Sequence, residues 1–168
     1  MKHLFLVRHA KSSWADETFS DRERPLNARG KSQLAPLGNA LKAAGAFEGE
    51  IFSSAATRAT ATLEGTLPDS VTTESCAWLE HRDDDSTITL VGHNPALLEL
   101  AQWLLKQPPE QLPTASFIHI RLAIKHWHQI GRGKGKLVAL ITPQDYSYAH
   151  FERKLKKKAR TEGDDPAK

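Results

Sequence analysis

Short strand-like runs alternate with stretches of helical periodicity along the chain. Residues 4–7 are continuously apolar, which is typical of a strand buried on both faces of a sheet. Further strands are predicted at residues 51–53, 87–91 and 137–141, with a less distinct one within 71–79. Apolar and polar side chains alternate from Ile118 to Ile124, which predicts a half-buried strand.

Three helices are predicted between these strands. Asn27 is a good N-cap for a helix that runs to Gly45, and Pro36 is expected to kink or divide it. Residues 57–63 form a weaker candidate because threonines lower helix propensity. Asn94 as cap and Pro95 at the first helical position predict a third helix, ended by Pro108 and Pro109.

This order of elements predicts an α/β fold. Strands that alternate with helices form parallel sheets, and the last two strands are joined by a loop alone. We expect a three-layer sandwich whose central sheet is mostly parallel, with an antiparallel strand at or near one edge. The 168 residues suit one domain.

Charge divides the chain into two parts. The whole carries a net charge of +3, and residues 151–168 alone hold seven Lys or Arg against four Asp or Glu. We therefore predict a neutral domain over residues 1–150 and a basic, flexible tail over 151–168. A nucleic-acid role is disfavoured because the excess of basic over acidic residues lies outside the domain.

Simple counts argue against an internal disulfide, a membrane span and a signal peptide. Cys76 is the only cysteine, and no run of roughly 18 apolar residues is present for a membrane span. The apolar run near the N-terminus is shorter than the roughly 7–15 residues of a signal peptide core. A cytoplasmic monomer is the expectation.

Candidate chemistry lies where strands end. His9 follows the first strand and His93 follows the strand at 87–91, and functional groups of open α/β sheets gather at such ends. Arg8, Arg58 and Arg24 would lie near the same rim, where guanidinium groups suit a shared phosphate. Metal binding is disfavoured because no carboxylate or thiol accompanies the histidines at ligand spacing.

Four motifs in order resemble the histidine phosphatase superfamily, and more narrowly its short SixA-type phosphohistidine phosphatase branch. They are residues 6–12 (Leu-Val-Arg-His-Ala-Lys-Ser), 24–30 (Arg-Pro-Leu-Asn-x-x-Gly), 53–59 (Ser-Ser-x-x-x-Arg-Ala) and 91–95 (Val-Gly-His-Asn-Pro). The resemblance implies a phosphoglycerate mutase-like fold, without a cap domain and without a cofactor.

The resemblance also implies a role for each matching residue. His9 would be the nucleophile and carry a phosphohistidine intermediate. Arg8, Arg58 and His93 would bind the phosphoryl oxygens and stabilise the group in transfer, with Arg24 and Asn94 as further phosphate-binding residues. Asp21 is a possible acid or orienting group, and Glu80 a possible acid.

Departures from the family pattern bear on the substrate. Ala55 and Ala61 stand where relatives have proline and glutamine, and the segment between Arg58 and His93 is short. A phosphohistidine loses imidazole, which needs a strong proton donor less than an alkoxide does. The expected function is metal-independent hydrolysis of protein phosphohistidine; a small-molecule phosphomonoesterase and a decayed phosphate-binding module remain alternatives.

Overall fold

Five strands form one mixed sheet in this computed structural model, which describes residues 1–67 and 86–146. The strands are β1 (Lys2–Arg8), β2 (Glu50–Ser53), β3 (Thr87–Gly92), β4 (Phe117–Leu122) and β5 (Gly135–Ile141), in the order β2-β3-β1-β4-β5. β2, β3 and β1 run parallel, and β4 is antiparallel to both β1 and β5. The predicted sheet is confirmed, with its antiparallel strand next to one edge.

Helices cover both faces of the sheet. They are α1 (Ala28–Ala44), α2 (Thr57–Thr66) and α3 (Ala96–Leu104), and a 3-10 turn spans Trp127–Gln129. Leu37 and Leu63 of α1 and α2 pack against Phe5 of β1 on one face. Leu97 of α3 packs against Leu6 on the other. The three-layer α/β arrangement is thus confirmed.

Helix α1 begins and ends where the sequence predicts. Asn27 Oδ1 accepts a hydrogen bond from the Gly30 amide at 2.8 Å, and Gly45 ends the helix in the left-handed conformation at φ +84°. The expected division at Pro36 does not occur, because residues 28–44 form one helix. Leu37 and Leu41, just beyond Pro36, are fully buried, and this packing offsets the lost backbone hydrogen bond.

The predicted start of α3 is wrong. Pro95 is the N-cap residue, and no side chain caps this helix. The Asn94 amide instead donates a hydrogen bond to the Leu112 carbonyl at 3.0 Å, so it holds a neighbouring loop rather than the helix end. The helix also ends at Leu104, before Pro108.

Several predictions fall outside the described residues. They concern Glu80, the strand within 71–79 and the basic tail at 151–168. Within residues 1–67 and 86–146, no helix has the length and apolar character needed to cross a membrane.

Candidate active site

The carboxyl ends of β1, β2 and β3 bring the predicted site together. Val7 pairs with Val91, and Ser53 pairs with Val91 from the other side, so the three strands end at one level. The segments that follow these three parallel strands therefore all begin at the same edge of the sheet. The His9 and His93 rings lie there with their centroids 5.1 Å apart.

His9 presents one free ring nitrogen. Its side chain is buried, and Nδ1 lies 2.7 Å from the Ala10 carbonyl oxygen. A carbonyl oxygen only accepts hydrogen bonds, so the ring proton must be on Nδ1. Nε2 is left with its lone pair, which is the form that a nucleophilic imidazole requires.

The surroundings of His9 keep the ring neutral. Burial is the largest cause, and the nearby charges of His93, Arg58 and Arg8 add to it, so that the pKa of His9 falls to about 4. The hydrogen bond to Ala10 opposes this shift only in part. An uncharged nucleophile is therefore available throughout the neutral range.

This electrostatic environment predicts the titration of His9. Long-range ¹H–¹⁵N NMR should show a neutral Nδ1–H tautomer at pH 7 that gains a proton with a midpoint near pH 4. An unfolded histidine titrates near ~6.5, so the unfolded chain takes up a proton first as the pH falls. The free energy of unfolding therefore decreases as the pH falls from about 6.5 to about 4, because protonation of His9 favours the unfolded chain over this range. The signal that disappears in a spectrum of His9→Ala identifies His9. An Nε2–H tautomer at pH 7 would contradict the predicted Nδ1–H form.

Arg8 and Arg58 hold unused donors beside the two rings. Arg8 Nη1 donates to the Leu112 carbonyl at 2.8 Å, and Arg58 Nη1 donates to the Asp21 carbonyl. The Nε atoms of both arginines are buried without a hydrogen-bond partner among the described residues. Buried guanidinium donors left without a partner are costly, and an oxyanion would satisfy them.

Arg24 is held differently from the other two arginines. Its Nε and Nη2 donate to Asp21 Oδ1 at 3.1 and 2.8 Å, and Nη1 donates to Ser12 Oγ at 3.0 Å. The exposed ring of Trp14 covers the guanidinium at 3.5 Å. Each nitrogen of Arg24 thus has a partner within the protein, and this arrangement suits organisation of the loop better than direct contact with phosphate.

Asp21 links two of these arginines. Oδ1 accepts from Arg24, and Oδ2 accepts from Arg58 Nη2 at 3.1 Å. The hydrogen bond from Arg24 is the main cause that lowers the pKa of Asp21, and Arg58 lowers it further. A carboxylate held ionised in this way is a poor proton donor. Of its two predicted roles, the geometry favours the orienting one.

His93 and Asn94 complete the rim. His93 Nε2 lies 2.7 Å from Ser54 Oγ, while Nδ1 is buried without a partner in the part of the chain that the structure describes. Burial lowers the pKa of His93, as do Arg58 and Arg8, although Asp21 opposes them. The Asn94 amide shares the Leu112 carbonyl with Arg8 and so anchors the same loop.

The sequence reasoning missed Thr62 and Leu112, and it included Ser54 only as part of a motif without assigning it a role. Thr62 Oγ1 accepts from the Ala10 amide at 2.9 Å and donates to the Arg58 carbonyl at 2.6 Å, which ties the His9 loop to α2. Ser54 contacts His93. Leu112 contributes only its backbone carbonyl. The spacing of four residues between Arg58 and Thr62 on one helix was a usable signal, whereas a backbone carbonyl leaves none.

The last residue of the 24–30 motif, Gly30, also has a local explanation. A Cβ on Gly30 would lie 2.2 Å from the Lys11 carbonyl oxygen, so only glycine lets α1 approach the chain that follows His9. The backbone N–H of Asn27 donates a hydrogen bond to that same Lys11 carbonyl at 3.0 Å. The motif therefore fixes the loop that leaves the nucleophile.

No metal site is apparent in this region. Across residues 1–67 and 86–146, no group of three or more His, Cys, Asp or Glu side chains is placed to hold a metal ion. The positive charge of the site comes from Arg8 and Arg58. The arrangement defines a class of site in an α/β protein. The ends of the strands surround a neutral histidine, and neighbouring arginines offer hydrogen-bond donors that suit an oxyanion.

A match to a known protein family covers the N-terminal part of the chain. Residues 4–75 match the sequence model of the histidine phosphatase superfamily (branch 1). This segment holds His9, Arg8, Arg24 and Arg58. This N-terminal part of the chain is similar to that superfamily.

Individual proteins are similar to this chain in sequence or in fold. An uncharacterized chloroplastic protein of Arabidopsis thaliana is 40% identical over 62 residues, which are 37% of this chain and 28% of that protein. The protein histidine phosphatase SixA, solved as a complex with tungstate, aligns with a TM-score of 0.67 at 19% identity over 86% of this chain and 99% of its own. A phosphoserine phosphatase from Entamoeba histolytica aligns with a TM-score of 0.58 at 15% identity over 86% and 98%.

Proposed function

We propose that the protein is a metal-independent phosphatase that acts through a phosphohistidine intermediate on His9. The observation that carries this proposal is the hydrogen bond from His9 Nδ1 to Ala10, which leaves Nε2 as a free, neutral nucleophile. Arg8 and Arg58, whose charges act on His9, each keep an Nε donor without a partner among the described residues. Phosphoryl transfer needs chiefly such positioning and such stabilisation of charge.

The reaction then has two steps. His9 Nε2 attacks phosphorus in line with the leaving group, forming a P–N bond while the bond to the leaving group breaks. Arg8, Arg58 and His93 stabilise the equatorial oxygens during this transfer. Water next attacks the phosphohistidine, releasing inorganic phosphate and returning the electron pair to Nε2.

A phosphorylated histidine on a partner protein is the proposed substrate. Asp21 is held ionised by two arginines, so it supports charge and orientation rather than proton donation to a leaving group. Imidazole can leave without a strong acid, whereas an alkoxide needs one. The likeness in fold to SixA is compatible with this substrate, and the likeness to a phosphoserine phosphatase means that the fold alone does not choose it.

A comparison of two substrates tests the proposal. The protein is incubated with a phosphorylated histidine-containing phosphotransfer protein and, separately, with p-nitrophenyl phosphate, both without added metal and with EDTA. We expect kcat/KM to favour the phosphoprotein by at least ~100-fold, since general acid catalysis is worth about that much to an ester.

Each other outcome contradicts a defined part of the proposal. Preference for the ester would support the phosphomonoesterase alternative. Phosphate binding without turnover of either substrate would indicate a binding module. Loss of activity in EDTA would overturn the metal-independent mechanism.

A further inference from the structure

The tautomer of His93 decides what this ring offers to a phosphoryl group. A neutral imidazole carries its proton on one nitrogen and a lone pair on the other. Nε2 is engaged with Ser54 Oγ at 2.7 Å, so Nδ1 is the nitrogen left for a ligand beside His9. A proton on Nδ1 would donate to a phosphoryl oxygen, whereas a lone pair there would repel it.

The Ser54 hydroxyl is placed to determine which nitrogen of His93 carries the proton. Its oxygen accepts a hydrogen bond from the Ala56 amide at 3.3 Å, which occupies one of its two lone pairs, and its own hydrogen can be donated to a further acceptor. His93 Nε2 lies at hydrogen-bond distance. Ser54 is itself fixed at the end of β2, because its amide donates to the Val91 carbonyl at 2.9 Å.

We propose that Ser54 is a positioning residue that donates to His93 Nε2 and thereby holds the His93 proton on Nδ1, facing the transferred phosphoryl group. The inference rests on the proposed role of His93. It assigns Ser54 no direct contact with the substrate. Partners that fix the tautomer of a functional histidine commonly contribute through the ring they orient.

Removal of the hydroxyl should weaken the chemical step more than binding. In Ser54→Ala, either tautomer of His93 becomes accessible, so part of the population presents a lone pair to the phosphoryl oxygens. We expect kcat to fall roughly 10–100-fold, the range seen when such supporting hydrogen bonds are lost, with a smaller change in KM. Ser54→Thr keeps the hydroxyl and should restore most of the activity.

Three further variants make the kinetic test specific. Ser32→Ala removes an exposed serine hydroxyl on α1 that donates to the Arg29 carbonyl, and it should leave activity unchanged. His93→Ala should lose activity more severely than Ser54→Ala. The double variant should be no worse than His93→Ala alone, because Ser54 acts through that ring.

Nitrogen NMR reads the tautomer directly and needs no variant to fold. Long-range ¹H–¹⁵N spectra of the unmodified protein should show His93 with its proton on Nδ1, and Ser54→Ala should shift the signals toward the Nε2–H form. An Nε2–H tautomer in the unmodified protein, or an unchanged kcat in Ser54→Ala, would overturn the inference. Full activity of His93→Ala would instead overturn the proposed function of that residue.

Discussion

Replacing His9 by alanine is expected to lower kcat by at least about 10⁴-fold, on the scale measured when a catalytic nucleophile is removed. In the proposed mechanism this side chain supplies the attacking lone pair, and water in the vacated volume would lack its fixed orientation and nucleophilicity. Acid-sensitive, base-stable labelling of the protein by a ³²P-phosphorylated substrate should be present in the unmodified protein and absent from His9→Ala.

A matched histidine outside the site controls for the loss of an imidazole as such. His128 lies on the exposed 3-10 turn, and His128→Ala should keep both turnover and labelling. Circular dichroism of His9→Ala should match the unmodified protein. Turnover that persists in a folded His9→Ala protein would rule out the phosphohistidine intermediate.

The convergence of His9 and His93 could be predicted because it depends on strand direction alone. Continuous apolar runs mark buried strands, and parallel strands end together, so residues that follow β1 and β3 must meet. The bounds of α1 could also be predicted, because they depend on interactions within one turn. These are the cap from the Asn27 side chain and the conformational freedom of Gly45.

Asn94 shows where local reasoning fails. Its position before a proline and an apolar stretch favours an N-cap, but its amide binds a carbonyl 18 residues further along the chain. Tertiary contacts of this kind compete with capping and leave no periodic trace in the sequence. The same holds for the Leu112 carbonyl, which Arg8 reaches across 104 residues.

The different hydrogen bonding of the three arginines was also beyond the sequence. Charge and motif position predicted that Arg24 binds phosphate, like Arg8 and Arg58. In the structure the guanidinium of Arg24 is enclosed by Asp21, Ser12 and Trp14, and these contacts depend on the path of the loop before α1. Residue type defines which donors exist, whereas loop geometry decides which remain free.

Arg58 is expected to show the second large effect. Its Nη1 and Nη2 bind Asp21, and its Nε is buried without a partner among the described residues. A guanidinium can therefore hold the loop and a phosphoryl oxygen at once. Arg58→Ala should lower kcat/KM by about 10³-fold or more, the range reported for arginines that stabilise a phosphoryl transition state.

Arg58→Lys separates geometry from charge. Lysine keeps a positive charge but lacks the planar fork, so it cannot bind Asp21 and a phosphoryl oxygen in the same way; we expect a loss of roughly 10²-fold. Arg29→Lys, on the exposed face of α1, is the matched control and should leave kcat/KM unchanged. Equal activity of Arg58→Lys and the unmodified protein would mean that charge alone suffices and that the fork has no catalytic role.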